Sequence, residues 1–206
     1  GENGENGENG EAVEAVETLV PFCEEGTTLE RVWGIRNNYA KPTVTSVLPD
    51  GNFTKDGNTI TIKGGTNVGN ALLALKASDG TILWSWHIWV VEDGNAPTDQ
   101  TYTACEGQPT FLDRNLGATS NEYANKSAVG LYYQYGRKDP FVIRTDAFTV
   151  TKSGDYYTAD VEITDVEVRT SDNSNMSWTI KNPSTRIVHA NIASGNPPKG
   201  FNNWLE

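Results

Sequence analysis

The hydrophobic and polar positions of this chain repeat with a period of two far more often than with a period near four. The clearest case is Thr81 to Val90, where Ile82, Trp84, Trp86, Ile88 and Val90 fall on one face and Leu83, Ser85, His87 and Trp89 on the other. Large apolar residues on both faces predict an interior strand, covered on two sides. Shorter runs give further strands at Thr28–Trp33, Thr43–Leu48, Thr59–Lys63 and Ala71–Lys76. Asp50-Gly51, Asp56-Gly57 and Asp79-Gly80 punctuate them, a dipeptide suited to tight turns. Asp-x-Asn spacing at two of these turns could suggest calcium, but no twelve-residue loop with a closing Glu follows, so they read as turns.

Beyond Val91 the pattern loosens. Glu92 to Gln100, with Asp-Gly-Asn and Ala-Pro, is the best boundary in the chain. Residues 18–93 are expected to form a small β-sandwich-like domain. Residues 94–206 are expected to form a second, α+β domain that lacks a closing strand. Within it, Asn125 to Arg137 predicts a helix: Ser127 can cap, Leu131 and Tyr135 stand four apart, and Gly136 suits the position past the end. Arg137-Lys138-Asp139-Pro140 then reads as the exit, with its bases answering the helix dipole. Alternation returns around Phe148 and Val150, and Gly154-Asp155 suggests a hairpin. The overall expectation is a mainly β protein.

Charge changes this picture at one place. The net charge is −11, but nine of the 27 acids lie in residues 1–30, where there is no Lys or Arg. The remaining 18 acids meet 16 bases, so most of the chain is close to neutral. A basic surface for nucleic acid is not expected. Residues 1–17, built on Gly-Glu-Asn triplets, read as a flexible acidic leader. No apolar run approaches the twenty residues a membrane helix needs. Cys23 and Cys105, the two cysteines, form no zinc spacing. A disulfide between them and two free thiols are both open readings.

Candidate chemistry is sparse. No nucleophile elbow, zinc motif, phosphate loop or nucleotide fingerprint is present, so neither an enzyme nor a cofactor is expected. His87 reads as a satisfied core histidine, since no partner motif accompanies it. Trp84, Trp86 and Trp89 read with it as structural, and Asp113-Arg114-Asn115 as an ion pair and turn fixing the interior. Of Tyr132, Tyr133 and Tyr135, one is expected to be exposed. Tyr156, Tyr157, Trp178, Phe201 and Trp204 lie in the loop-rich half and are the first residues to inspect for a ligand contact.

Three stretches in order, Ser78 to Val90, Phe111-Leu-Asp-Arg-Asn-Leu-Gly-Ala118 and Gly130-Leu-Tyr-Tyr-Gln-Tyr-Gly-Arg-Lys-Asp-Pro-Phe141, resemble a family of Bacteroides-type secreted surface proteins described as fimbrillin-like or fimbrial tip-like lipoproteins. The later Ser177-Trp-Thr-Ile-Lys-Asn-Pro-Ser184 fits too, and the resemblance spans roughly residues 40–205. It implies an extracellular or outer-membrane surface location and a non-catalytic adhesin or pilus-associated role. The implied partners are other surface or pilus subunits, or host or dietary glycans. It also implies a C-type-lectin-like second domain. The family's Asp-Pro-Cys-Pro-type continuation is not present.

Overall fold

The computed structural model describes residues 16–19, 25–36, 45–104, 106–122, 125–141, 150–153, 156–159, 166–168, 170 and 172–188. Cys23, Cys105, Phe201, Trp204 and the expected leader, except its last two residues, lie outside them. In chain order the elements are β1 (Val16–Leu19), β2 (Thr28–Ile35), β3 (Phe53–Asp56), β4 (Thr59–Ile62), β5 (Gly69–Lys76), β6 (Ile82–Val90), β7 (Asp99–Thr101) and β8 (Thr110–Leu112). They continue with β9 (Val150–Ser153), β10 (Tyr156–Ala159), β11 (Val166–Val168), a six-residue helix α1 (Met176–Lys181) and β12 (Arg186–Val188). The protein is mainly β, and its sheets are antiparallel apart from the β11–β12 pair, whose crossover carries α1.

Two three-stranded sheets, ordered β1-β4-β3 and β2-β5-β6, share one apolar cluster. Ile60 and Ile62 enter it from β4, and Ala71, Leu73 and Leu75 from β5, with Val47 and Leu48 completing the buried set. The opposite face of β5 carries Leu72 into a second cluster with Trp33, Ile35 and Leu131. Gly69 to Leu75 are therefore all buried, which is why β5 reads as a continuous apolar run with one polar residue, Asn70.

The interior strand is β5, and the expectation for the Trp-rich strand needs correction. Among the described residues β6 pairs with β5 alone, and eight of its nine residues are half-buried. Alanine and leucine fit between packed layers about 10 Å apart. Indole rings are wider, and at a sheet margin they can cover the interior with one side while the other meets solvent. The margin itself is dressed: α1 lies against β6, and the Lys138 ammonium donates to the Ser85 carbonyl at 2.6 Å.

Two further expectations change. The described part of Thr43–Leu48, residues 45–48, is a turn rather than a strand, although Val47 and Leu48 are fully buried. The segment Asn125–Arg137 holds a single 3-10 turn, Lys126–Ala128, and no α-helix. Gly130 sits at φ 75°, where a Cβ would come within 2.7 Å of Asn115 Cβ, so the chain turns sharply where a helix would run on. Leu131 N–H donates to Leu116 O, and Phe141 N–H reaches back to Tyr132 O at 2.8 Å. Without a helix there is no single buried face, and Tyr132, Tyr133 and Tyr135 are all exposed.

The short helix α1 depends on its ends. Asn175 caps it, its side-chain oxygen accepting from Trp178 N–H at 2.9 Å, and Lys181 occupies the last turn. Asn175→Ala is expected to cost about 1 kcal/mol. That corresponds to a fall in Tm of roughly 2–4 °C for a chain of this size. Thermal unfolding followed by circular dichroism checks it.

Candidate functional site

One face of the β2-β5-β6 sheet carries Trp33 and Ile35 from β2, Asn70 and Leu72 from β5, and Ser85, His87 and Trp89 from β6, in register across the strands. Gly117, Leu131, Tyr133, Lys138 and Asp139 meet this face from a later part of the chain. His87 lies at its centre, with its ring 6.5 Å from that of Trp33 and stacked at 6.5 Å on that of Trp89.

The polar groups form a chain with one consistent direction. Asn70 Nδ2 donates to Gly117 O at 2.8 Å, which leaves Asn70 Oδ1 as acceptor. His87 Nε2, 2.8 Å from that oxygen, is therefore the protonated nitrogen. Nδ1 is then the acceptor, and Tyr133 Oη stands 3.4 Å away as its donor. Burial holds the imidazole neutral and pushes its pKa down to about 4, against a weaker pull from Asp139. Burial likewise pushes the Tyr133 phenol up to about 12, with the Asp139 charge adding to the effect.

A second group lies further along β6. Lys138 Nζ contacts Ser85 O, Ser85 Oγ and both oxygens of Asp139, each at 2.6–2.7 Å, and sits 4.7 Å from the centre of the Trp84 ring. Ser85 Oγ donates to Asp139 Oδ2 at 2.7 Å. Burial lowers the Lys138 pKa, and the bond to Asp139 opposes the shift. A serine beside a lysine can be a nucleophile and its base. Here the lysine is paired with a carboxylate and donates to the serine, and Ser85 is 1% exposed, which leaves no approach for a substrate. The group fastens the strand margin. It also corrects the reading of Arg137-Lys138 as a helix terminus: Lys138 serves β6, while Arg137 donates to Asn182 O at 2.7 Å and stacks over Phe141.

The other structural residues are placed as follows. Trp86 packs against the cluster between the sheets. Arg114 Nη2 pairs with Asp113 Oδ2 at 2.7 Å and reaches Asn95 Oδ1, while Arg114 Nη1 donates to Asn95 O. Asn115 Nδ2 donates to Ala128 O and Val129 O. The Arg114 hydrogen bond is the main reason the Asp113 carboxyl is lowered to about 2, with smaller help from Thr98 N–H and Asn121. Its folded pKa lies below the ordinary carboxylate value of 3.8, so the pair contributes fully above that value and is lost as pH falls through about 2. Carboxyl carbon NMR is expected to show Asp113 titrating near 2, below the ordinary carboxylate value of 3.8.

Of the candidate contact residues, Tyr156, Tyr157 and Trp178 lie in described elements, and Phe201 and Trp204 lie outside the described residues. Tyr156 and Tyr157 stand on β10, which pairs antiparallel with β9; Gly154-Asp155, the expected turn, lies outside the described residues. Trp178 is half-buried in α1. Among the residues of described burial, the exposed aromatics are Tyr102 and Phe111 on the β7–β8 hairpin, edge to face at 5.6 Å, and Tyr132, Tyr133 and Tyr135. Asn70 was missed by sequence reasoning, although a lone amide inside an apolar strand signals a buried hydrogen-bonding role. No cluster of three or more His, Cys, Asp or Glu side chains suited to a metal occurs among the described residues. No described helix is long and apolar enough to cross a membrane. Comparison with protein-family models, curated proteins and solved structures gives no match to this chain.

Proposed function

We propose that the protein is a non-catalytic cell-surface adhesin or pilus-associated structural protein of a Bacteroidetes-type bacterium, displayed outside the cell or on its outer membrane. The observation that carries this reading is the use made of the polar groups on the sheet face. Both nitrogens of His87 have partners, and Ser85, Lys138 and Asp139 bond to one another. These residues hold the chain against its own sheet, as a display scaffold requires. The resemblance of three sequence stretches to fimbrillin-like and tip-like lipoproteins supports the same reading. A sandwich-like first unit, a C-type-lectin-like second unit and other surface subunits as partners belong to it. The test is immunolabelling of intact cells before and after protease shaving. Label on the surface that shaving removes is expected, and label found only after lysis would sink the proposal.

Capture of host or dietary glycans is the second reading. It is favoured by the exposure of Tyr132, Tyr133 and Tyr135 on one segment, because aromatic faces stack on sugar rings. A glycan array probed with the whole chain separates the two: reproducible binding that Tyr135→Ala abolishes supports glycan capture, and an empty array removes it.

A further inference from the structure

We infer that residues 129–141 form an acid-loosened latch, held shut on the β2-β5-β6 sheet while His87 is neutral and opening more often when it is protonated, with Leu131, Gln134, Asp139 and Phe141 as the remaining fastenings. His87 is enclosed by Trp33, Trp89, its cross-strand partner Leu72, Asn70 and Tyr133. Of these, Tyr133 is the exposed one, and it belongs to a segment without regular structure. Asn70 commits Nε2 as a donor, so Nδ1 is the remaining basic site, and Tyr133 covers it. A proton arriving there turns an acceptor into a donor, so the phenol must turn its hydrogen away to keep the contact, and a cation is left in an apolar enclosure. The resulting cation reaches water most directly if the Tyr133 segment lifts.

The surrounding charges give it little alternative. Asp139 attracts it, but that carboxylate is shared between Lys138 and Ser85. Arg137, on the same segment, is engaged with Asn182 O and Phe141. On β2 and β5 the charged residues are Glu30, Arg31 and Lys76, with Glu30 paired to Lys76 and Arg31 to Asp50. Asp113 and Arg114 neutralise each other, and Lys181 of α1 carries the same sign as the new cation.

The imidazole pKa is about 4 when enclosed and 6.5 when free. Closure is therefore fully favoured above 6.5 and weakens as pH falls toward 4, below which this group adds no further change. The opening equilibrium rises on the order of a hundredfold between pH 7 and pH 4.

Amide hydrogen exchange on the whole chain, corrected for intrinsic rates, reads this directly. Protection of residues 129–141 is expected to fall by about that factor while Gly69–Lys76 changes much less. His87→Gln, which keeps a donor and an acceptor without a titrating proton, is expected to show a flat profile. Three results overturn the latch: no pH response in the wild type, an unchanged response in H87Q, or equal loss in β5 and the segment. If H87Q does not fold, imidazole NMR of the wild type decides, with His189→Gln to assign the two histidines. A depressed His87 midpoint that coincides with opening supports the latch, and a midpoint near 6.5 overturns it.

Discussion

Asn70→Leu is expected to lower unfolding stability by about 4 kcal/mol, although leucine is close to asparagine in shape. Asn70 is fully buried and spans two partners, donating to Gly117 O and accepting from His87 Nε2. Leucine removes the donor to the Gly117 carbonyl and the acceptor of the His87 ring N–H, two interior hydrogen bonds each worth about 1–3 kcal/mol where water cannot replace the lost partner. The apolar gain of leucine offsets only part of this, because the neighbours are polar at both ends. Urea denaturation at neutral pH gives the figure. A loss under about 1 kcal/mol would mean that the polar chain is not closed as described. His87 is also expected to become more mobile, since its ring loses the group that selects its tautomer.

Gly117→Val is expected to cost a similar amount, about 3–5 kcal/mol, through two separable causes. Gly117 adopts φ 81°, a left-handed conformation that costs an ordinary residue about 1–2 kcal/mol and a β-branched one more. A Cβ there would also lie 2.6 Å from Leu131 Cγ and 2.8 Å from its Cδ1. Leu131 cannot retreat easily, because it is buried against Trp33, Ile35 and Leu72. Overpacking of this kind adds about 1–3 kcal/mol. Gly94→Val is the control, since Gly94 has φ 69° and a Cβ there would meet nothing within 4 Å. It is expected to show the conformational cost alone, so equal losses at the two sites would remove the packing argument.

The sequence conveyed the period of each strand well and its position in a sheet poorly. The alternation in Ile82–Val90 is plain, and the strand is there. Alternation reports which residues share a face, but the number of neighbouring strands depends on pairing with distant segments. That is why β5, built of Ala and Leu, took the interior place assigned to the tryptophans. The helix expected at 125–137 failed for a similar reason. Its capping and i, i+4 signals are local, whereas the turn at Gly130 is fixed by the approach of Asn115 from elsewhere in the chain.

The site follows the same rule. His87 could be read as a buried, bonded histidine from its strand alone. Its partners could not: Asn70 is 17 residues away, and Tyr133 is 46. The stretch from Leu131 to Phe141 is dense in functional-looking side chains because it is bonded at several points. Gln134 exchanges two hydrogen bonds with the Ile187 backbone of β12, Lys138 and Asp139 hold Ser85, and Phe141 is buried. A residue pattern that suggests chemistry can equally arise where an irregular segment must be fastened without a ladder of backbone bonds.

The protonation state of His87 at neutral pH tests this most directly, by long-range proton–nitrogen NMR of the imidazole. A neutral ring with its proton on Nε2 is expected. A charged ring, or a proton on Nδ1, contradicts the bonded path from Tyr133 through His87 and Asn70 to Gly117.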